Sequence, residues 1–476
     1  MTASELWQWD AVDLAAAIRS RKVSSLDATV AVIERMHAVN PKVNAVVRDL
    51  SDEALAAARV ADEAVRRGER LGPLHGVPVT IKENVDQLGL PTINGVVAYK
   101  DLAATEDSPP VANWKKAGAV IVGRTNTPAF SLRWHTDNDV HGPTLNPWSR
   151  SRTSGGSSGG ASAALAVGIA PLAHGNDYGG SIRYPAYTCG LAGIRPTMGR
   201  VPAFNRTASV ERSPTNQLMA VNGPLARKVR DVRLGLAAMS GGDARDPIWV
   251  PAPLEGAPAA TPVRVALCVQ PKGQYTHPAV AEAVRKAGKA LADNGYVVEE
   301  VEPPAFEAAC QVWRRLVFTE TRHLTYESIE KLGDAQARKS AGLWLQLQPD
   351  LSLKEYMQAL AEVLTHRRAW AAFMETYPLI IGPNSGDLPF EVGFDCKDVQ
   401  TFRHVLDAQA LMTLVNMLGL PSAAVPVGTT AVPDAPLGLP LGVQIIAQRF
   451  REDLALDAAE IVEAVHGITT PIDPAW

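Results

Sequence analysis

Thr153-Ser-Gly-Gly-Ser-Ser-Gly-Gly-Ala161, taken with Gly175-Asn-Asp-Tyr-Gly-Gly-Ser-Ile-Arg-Tyr-Pro185, is the stretch on which the reading of this chain turns. Gly155, Gly156, Gly159, Gly160, Gly179 and Gly180 stand beside several hydroxyls and the pair Asp177 and Arg183. Glycine at this density marks backbone that takes φ > 0 or lies close against another group. A hydroxyl placed there becomes a nucleophile only when a base activates it.

Three chemistries compete for the segment. Glycines ahead of a helix suit a phosphate cradle, but no Gly-Lys-Ser/Thr follows and no apolar strand leads in. Gly155-Gly-Ser157-Ser-Gly159 matches the G-x-S-x-G elbow of a Ser-His-Asp esterase, with Ser157 as nucleophile. That motif needs a strand before its serine, whereas Pro147-Trp-Ser-Arg-Ser-Arg-Thr-Ser154 is no strand, and none of the ten histidines stands out as its base. The third is a serine hydrolase whose base is a lysine, made neutral by burial. Two serine sites would let one relay a proton between lysine and nucleophile, and the glycines of Tyr178-Gly-Gly-Ser181 would leave backbone N–H groups free for an oxyanion.

The lysine is found upstream. In Gly76-Val-Pro-Val-Thr-Ile-Lys82, Val77, Val79 and Ile81 alternate with Pro78, Thr80 and Lys82, the pattern of a strand. Lys82 therefore leaves the strand end on the face opposite the apolar set. Around it, helices are expected at 10–19, 26–39 (stopped by Asn40-Pro41), 51–67 and 109–117, with a strand at 119–123. A buried helix follows at 161–170, and another helix at 224–239. Beyond a Pro/Ala-rich connector at 251–262, strands are expected at 263–269, 296–301, 378–382, 421–428 and 439–447. Helices are expected at 278–294, through 305–375, at 401–418 and at 453–465. Trp313, Trp344 and Trp370 read as core residues. The alternation predicts an α/β fold with a central mixed, largely parallel sheet flanked by helices on both faces.

The remaining composition narrows the function classes. A net charge of -4 gives no reason to expect nucleic acid or an anionic membrane as partner. No apolar run approaches a membrane span, and the amino terminus has no secretory pattern. Cys189, Cys268, Cys310 and Cys396 lie far apart, as free thiols of a cytoplasmic protein would. His135, His141, Asp137 and Asp139 match no metal-ligand spacing, so no metal is expected.

At this point the chain resembles the amidase signature family. The two serine sites, Ser157 and Ser181, lie 24 positions apart as in the family's pattern. The lysine strand, Asn146-Pro-Trp148, Gly193-Ile-Arg-Pro-Thr197 and Gly438-Leu-Pro-Leu-Gly-Val-Gln444 fit it as well. The resemblance implies one amidase domain over 1–476, with a signature core at about 70–240 and a helical substrate-region insertion at about 305–375. It implies Ser181 as nucleophile, Ser157 as a bridging serine on a cis peptide bond, and Lys82 as general base. The amides of Tyr178, Gly179, Gly180 and Ser181 would form the oxyanion hole. Asp177 and Arg183 would brace the loop, with Thr153 and Ser158 as supporting donors. Cofactors are not required, and a homodimer is common in the family.

The implied activity is hydrolysis of a small carboxylic amide, or a related bond such as an anilide or hydrazide. The alternative within the family is the amidase subunit of a tRNA-dependent amidotransferase. Two departures stand out: Asn176 where Thr or Ser is usual, and Tyr178 where a small or aliphatic residue is more common. With Trp134 and Tyr187 as further candidate pocket aromatics, they point to an aromatic or flat apolar substrate.

Overall fold

Pro78–Lys82 is buried along its whole length, which a strand achieves only between two other strands with both faces covered. A computed structural model describes residues 3–476 and places this segment inside one eleven-stranded sheet. In chain order the strands are β1 (Val46–Asp49), β2 (Pro78–Lys82), β3 (Val120–Thr125), β4 (Leu172–Asp177), β5 (Ala192–Arg195), β6 (Val221–Ala226), β7 (Arg264–Leu267), β8 (Val297–Glu300), β9 (Leu379–Pro383), β10 (Ser422–Val432) and β11 (Ala435–Ala447). Their spatial order is β1-β3-β2-β4-β6-β5-β10-β11-β9-β7-β8.

The sheet is mixed, as expected, but its parallel character is regional. β2 runs parallel to β3 and β4, and β7 runs parallel to β8 and β9. The other six neighbouring pairs are antiparallel. The centre is set by β10 and β11, joined only by Pro433 and Asp434. A two-residue connection returns the chain antiparallel, whereas a parallel neighbour needs a long crossover.

Alternation along the strands decides which helices cover each face. Leu379 and Ile381, Val443 and Ile445, and Ala423 and Val425 share one core with residues of helices Ala11–Arg19, Pro109–Lys116, Val229–Met239, Pro278–Asp293 and Glu452–His466. Ile380, Ile446 and Ala266 pack on the other side, into a core supplied largely by helices between Phe306 and Leu418. Ala173, Leu225 and Ala424 meet helices Gly159–Ala166 and Arg183–Cys189. On β2, Val79 and Ile81 belong to the first core, so Lys82 projects to the second side. Trp313, Trp344 and Trp370 are all buried in the helical core, as expected.

Several elements differ from the sequence reading. The second helix continues through Asn40-Pro41 to Val43 and ends at Asn44 with φ 49°; a proline near the end of a helix interrupts few bonds. Val221–Ala226 is strand β6, and the helix expected from 224 starts at Val229. Pairing with all six residues of β4 outweighs the helical look of that segment. Gln409 divides the helix expected at 401–418 into Val399–Ala408 and Ala410–Leu418.

Trp114 ties the layers together. It is fully buried, its Nε1 donates to Gly235 O at 3.0 Å, and its ring meets His174 of β4 edge-on. Trp114→Ala should cost about 3–5 kcal/mol, read as a lower guanidinium midpoint with an unchanged slope.

Candidate active site

Parallel strands end together, so β2 and β4 deliver Lys82 and Asn176 to the same edge of the sheet. Lys82 is 0% exposed. Its Nζ lies 2.7 Å from Ser157 Oγ, 3.1 Å from Ser158 Oγ and 2.7 Å from Asn176 Oδ1. Burial holds this amine well below the usual lysine range; Asp177 and Glu83 pull the other way without restoring it. Burial therefore favours the neutral amine over the ammonium.

Ser157 follows a cis peptide bond from Gly156, immediately ahead of the fully buried helix Gly159–Ala166. A side chain at Gly156 would put its Cβ 2.3 Å from Arg133 O, so only glycine lets the loop pass. Thr136 Oγ1 donates to Gly155 O and accepts from Gly159 N, at 3.0 and 3.1 Å. Thr153 stands further out: its Oγ1 accepts from Gly155 N at 3.0 Å and meets His135 Nδ1 at 2.9 Å. Of the two supporting hydroxyls, only that of Ser158 reaches Lys82.

The second half of the segment turns around Asp177. Its carboxylate accepts from Arg183 Nε and Nη2 at 3.1 and 3.0 Å and from Asn416 Nδ2 at 2.9 Å. It also accepts from the amides of Gly180 and Ile182 at 2.9 and 3.1 Å. Burial would raise the Asp177 pKa, but Arg183, Arg195 and Asn416 outweigh it and hold the group well below the usual carboxylate range. Arg183 goes on to Gln444 Oε1 and Asn416 Oδ1 at 2.8 and 2.7 Å, which anchors the loop to β11 and to helix Ala410–Leu418. The Gly180 amide is thus already engaged, and the oxyanion candidates narrow to Tyr178, Gly179 and Ser181. Gly180 itself has φ 100°, and a Cβ there would lie 2.8 Å from Met412 Sδ.

Ser157, Asn176, Tyr178 and Ser181 line one cavity of about 840 Å³, together with Phe130 and Phe204. Trp134 and Tyr187 lie elsewhere, which corrects their reading as pocket aromatics. Trp134 is buried beneath the glycine loop, donating from Nε1 to Gly179 O at 2.9 Å and stacking on Trp344. Tyr187 donates to Asp387 O at 2.9 Å and stacks on Tyr184. Phe130 and Phe204 went unnoticed in the sequence because nothing local distinguishes a cavity phenylalanine from a core one. Asn176 did carry a signal, as a departure from the family pattern. Among the described residues, no histidine is hydrogen-bonded to Ser157 or Ser181. His135 instead meets Thr153, and His141 pairs with Glu83 at 3.0 Å.

A model of the family described as amidase matches residues 27–456. This chain belongs to the amidase family. It is an enzyme that hydrolyses amide C–N bonds. Its sequence is 47% identical to the indoleacetamide hydrolase of Bradyrhizobium diazoefficiens, across 97% of this chain and 87% of that one. It is 33% identical to a glutamyl-tRNA(Gln) amidotransferase subunit from Acidothermus cellulolyticus, across 97% and 95%. The fold of this amidase is similar to that of 6-aminohexanoate cyclic dimer hydrolase in complex with its substrate, with TM-score 0.82, 27% identity and coverage of 98% and 99%. No helix among the described residues is long and apolar enough to cross a membrane.

A lysine amine whose pKa is lowered by burial has a thermodynamic signature. The unfolded chain holds a proton on Lys82 up to about pH 10.4, while burial moves the loss of that proton in the fold to lower pH. Stability should therefore rise with pH in the window below that value. Relative to Lys82→Met, the unmodified protein should gain stability with rising pH, by up to roughly 1.4 kcal/mol per pH unit just below about pH 10.4, measured by denaturant unfolding. Parallel pH profiles for the two proteins would mean that Lys82 stays protonated in the fold.

Proposed function

We propose that this amidase hydrolyses amides of small arylacetic acids to the acid and ammonia, or the corresponding amine, through an acyl-enzyme on Ser181. The observation that carries the mechanism is the buried Lys82 Nζ, 2.7 Å from Ser157 Oγ, with Ser157 and Ser181 on the wall of the same cavity. Neutral Lys82 takes the proton of Ser157, and Ser157 takes that of Ser181. Ser181 Oγ attacks the amide carbonyl, and the amides of Tyr178, Gly179 and Ser181 receive the negative charge that develops on its oxygen. The proton returns along the same route to the departing nitrogen. Water then repeats the sequence on the ester, releasing the acid and restoring Ser181.

The substrate class rests on two supports. One is the 47% identity with an indoleacetamide hydrolase over nearly the whole chain, against 33% with the amidotransferase relative. The other is the set of aromatic side chains, Phe130, Tyr178 and Phe204, on the cavity wall. The helical segment at about 305–375 is the proposed substrate-region insertion of a single amidase domain, since its Trp313 packs against Tyr178 at 6.4 Å between ring centroids. A reducing cytoplasm is the proposed compartment, supported by four buried cysteines that are all free.

Ser181→Ala should abolish turnover, a loss of roughly 10⁴-fold or more, together with covalent labelling by a fluorophosphonate. Labelling located on Ser157 by peptide mass would support the elbow mechanism instead. Across a panel of primary amides, arylacetamides should exceed short aliphatic amides in kcat/KM by about tenfold or more, as expected when a pocket buries additional apolar surface. Equal values across the panel would remove the arylacetic assignment and leave the mechanism standing.

A further inference from the structure

We propose that Asn176 is the positioning residue that aims the lone pair of Lys82 at Ser157. The inference rests on the proposed role of Lys82 as base, and it concerns a residue that departs from the family pattern.

Proton count decides the orientation. A neutral amine has two N–H bonds and one lone pair, and Lys82 Nζ has three oxygen neighbours. Asn176 Oδ1 has no hydrogen and can only accept, so it takes one N–H. Ser158 Oγ lies 3.5 Å from the backbone oxygen of Asn176, to which its O–H can donate, so its own lone pair takes the second. The lone pair is left for the third neighbour, and Ser157 Oγ–H donates to it. That is the orientation in which Lys82 can remove the Ser157 proton. Once protonated, Lys82 has a third N–H in the same direction, and Ser157 Oγ becomes an acceptor whose oxygen is free to take the next proton.

A hydroxyl at position 176 lacks this selectivity, because it can donate as well as accept. A serine or threonine there could send its own proton to the amine and occupy the lone pair. The asparagine carbonyl removes that state. Its place is secured by the backbone, since Asn176 pairs with Asn222 of β6 within the full-length β4–β6 register.

The charged and titratable groups around Lys82 make the effect measurable. Asp177 and Glu83 both favour the ammonium form. Asp177 is engaged by Arg183 and lies 3.9 Å from Arg195, and Glu83 pairs with His141. Arg124, whose Nη2 reaches Lys82 O at 3.5 Å, and His174 on β4 complete the set. Asn176, like Ser157 and Ser158, is neutral and touches Nζ directly. A carboxylate in its place would sit against the amine and stabilise the ammonium, so the pair must lose one further proton before the base is free.

The test is the pH dependence of Ser181 labelling by a fluorophosphonate, followed by intact mass for the full chain, which needs no knowledge of the substrate. For Asn176→Asp the acid limb should move up by about 1–3 pH units, with labelling recovered at high pH. For Asn176→Ala the rate should fall by about 10- to 100-fold, a part of the roughly 10²–10⁴-fold that general-base catalysis supplies, and Asn176→Gln should recover part of it. A limb for Asn176→Asp that coincides with that of the unmodified protein overturns the inference, as does an Asn176→Ala rate within about twofold of it. If the unmodified protein is not labelled at Ser181 at all, the underlying role of Ser181 fails, a result distinct from both.

Discussion

An amine without water is the constraint around which this amidase is arranged. Lys82 is buried at the end of a central strand, and its Nζ meets three uncharged oxygens. No carboxylate oxygen lies against it among the described residues, although two acidic residues stand close enough to be felt. Desolvation disfavours the ammonium, and neutral acceptors do not reverse the balance. The result is an amine whose free form is favoured by burial, at a cost to the fold that the surrounding core must offset.

The neighbouring charge is managed rather than removed. Asp177 immediately follows Asn176, and alone it would draw a proton to Lys82. Its oxygens are instead committed to the Arg183 guanidinium, Asn416 and three backbone amides. The same commitments shape the turn: the carboxylate gathers the Gly180 and Ile182 amides, so Ser181 is presented between two fixed points. One side chain thereby sets both the local electrostatics and the backbone path of the proposed nucleophile. Removing one partner of such a buried pair commonly costs about 3–5 kcal/mol, because the other is left uncompensated.

The aromatic residues divide into supports and walls. Trp134 holds the carbonyl of Gly179 from below and stacks into the helical core, so it fixes the turn without lining the cavity. Tyr178 reaches both sides. It lines the cavity, its ring packs against Trp313, and its hydroxyl lies 2.6 Å from Thr215 Oγ1. Thr215 N is held in turn by Glu320 at 3.0 Å. The helical segment beyond residue 305 therefore reaches the site through Tyr178 and the turn that carries it.

Much of this was legible in the chain itself. Clustered glycine and hydroxyl residues and a strand ending in lysine are local patterns that admitted a serine hydrolase with a lysine base in an α/β fold, and the resemblance to the amidase signature family, with its spacing of Ser157 and Ser181, made it an amidase. The antiparallel centre of the sheet escaped that reading, because β6 looks like the start of a helix until β4 pairs with it. Trp134 and Tyr187 were assigned to the pocket by residue type, which says nothing about which side of a loop a ring occupies. Asn176 was visible only as a departure, and its contact with Lys82 exists because β2 and β4 run parallel and end together. Residue chemistry and periodicity are properties of neighbouring positions, so the sequence determined the kind of chemistry and the strand that carries Lys82. Which oxygen meets the amine, which amide is already engaged and which ring faces the cavity depend on register and packing between distant segments, and those the tertiary structure alone decided.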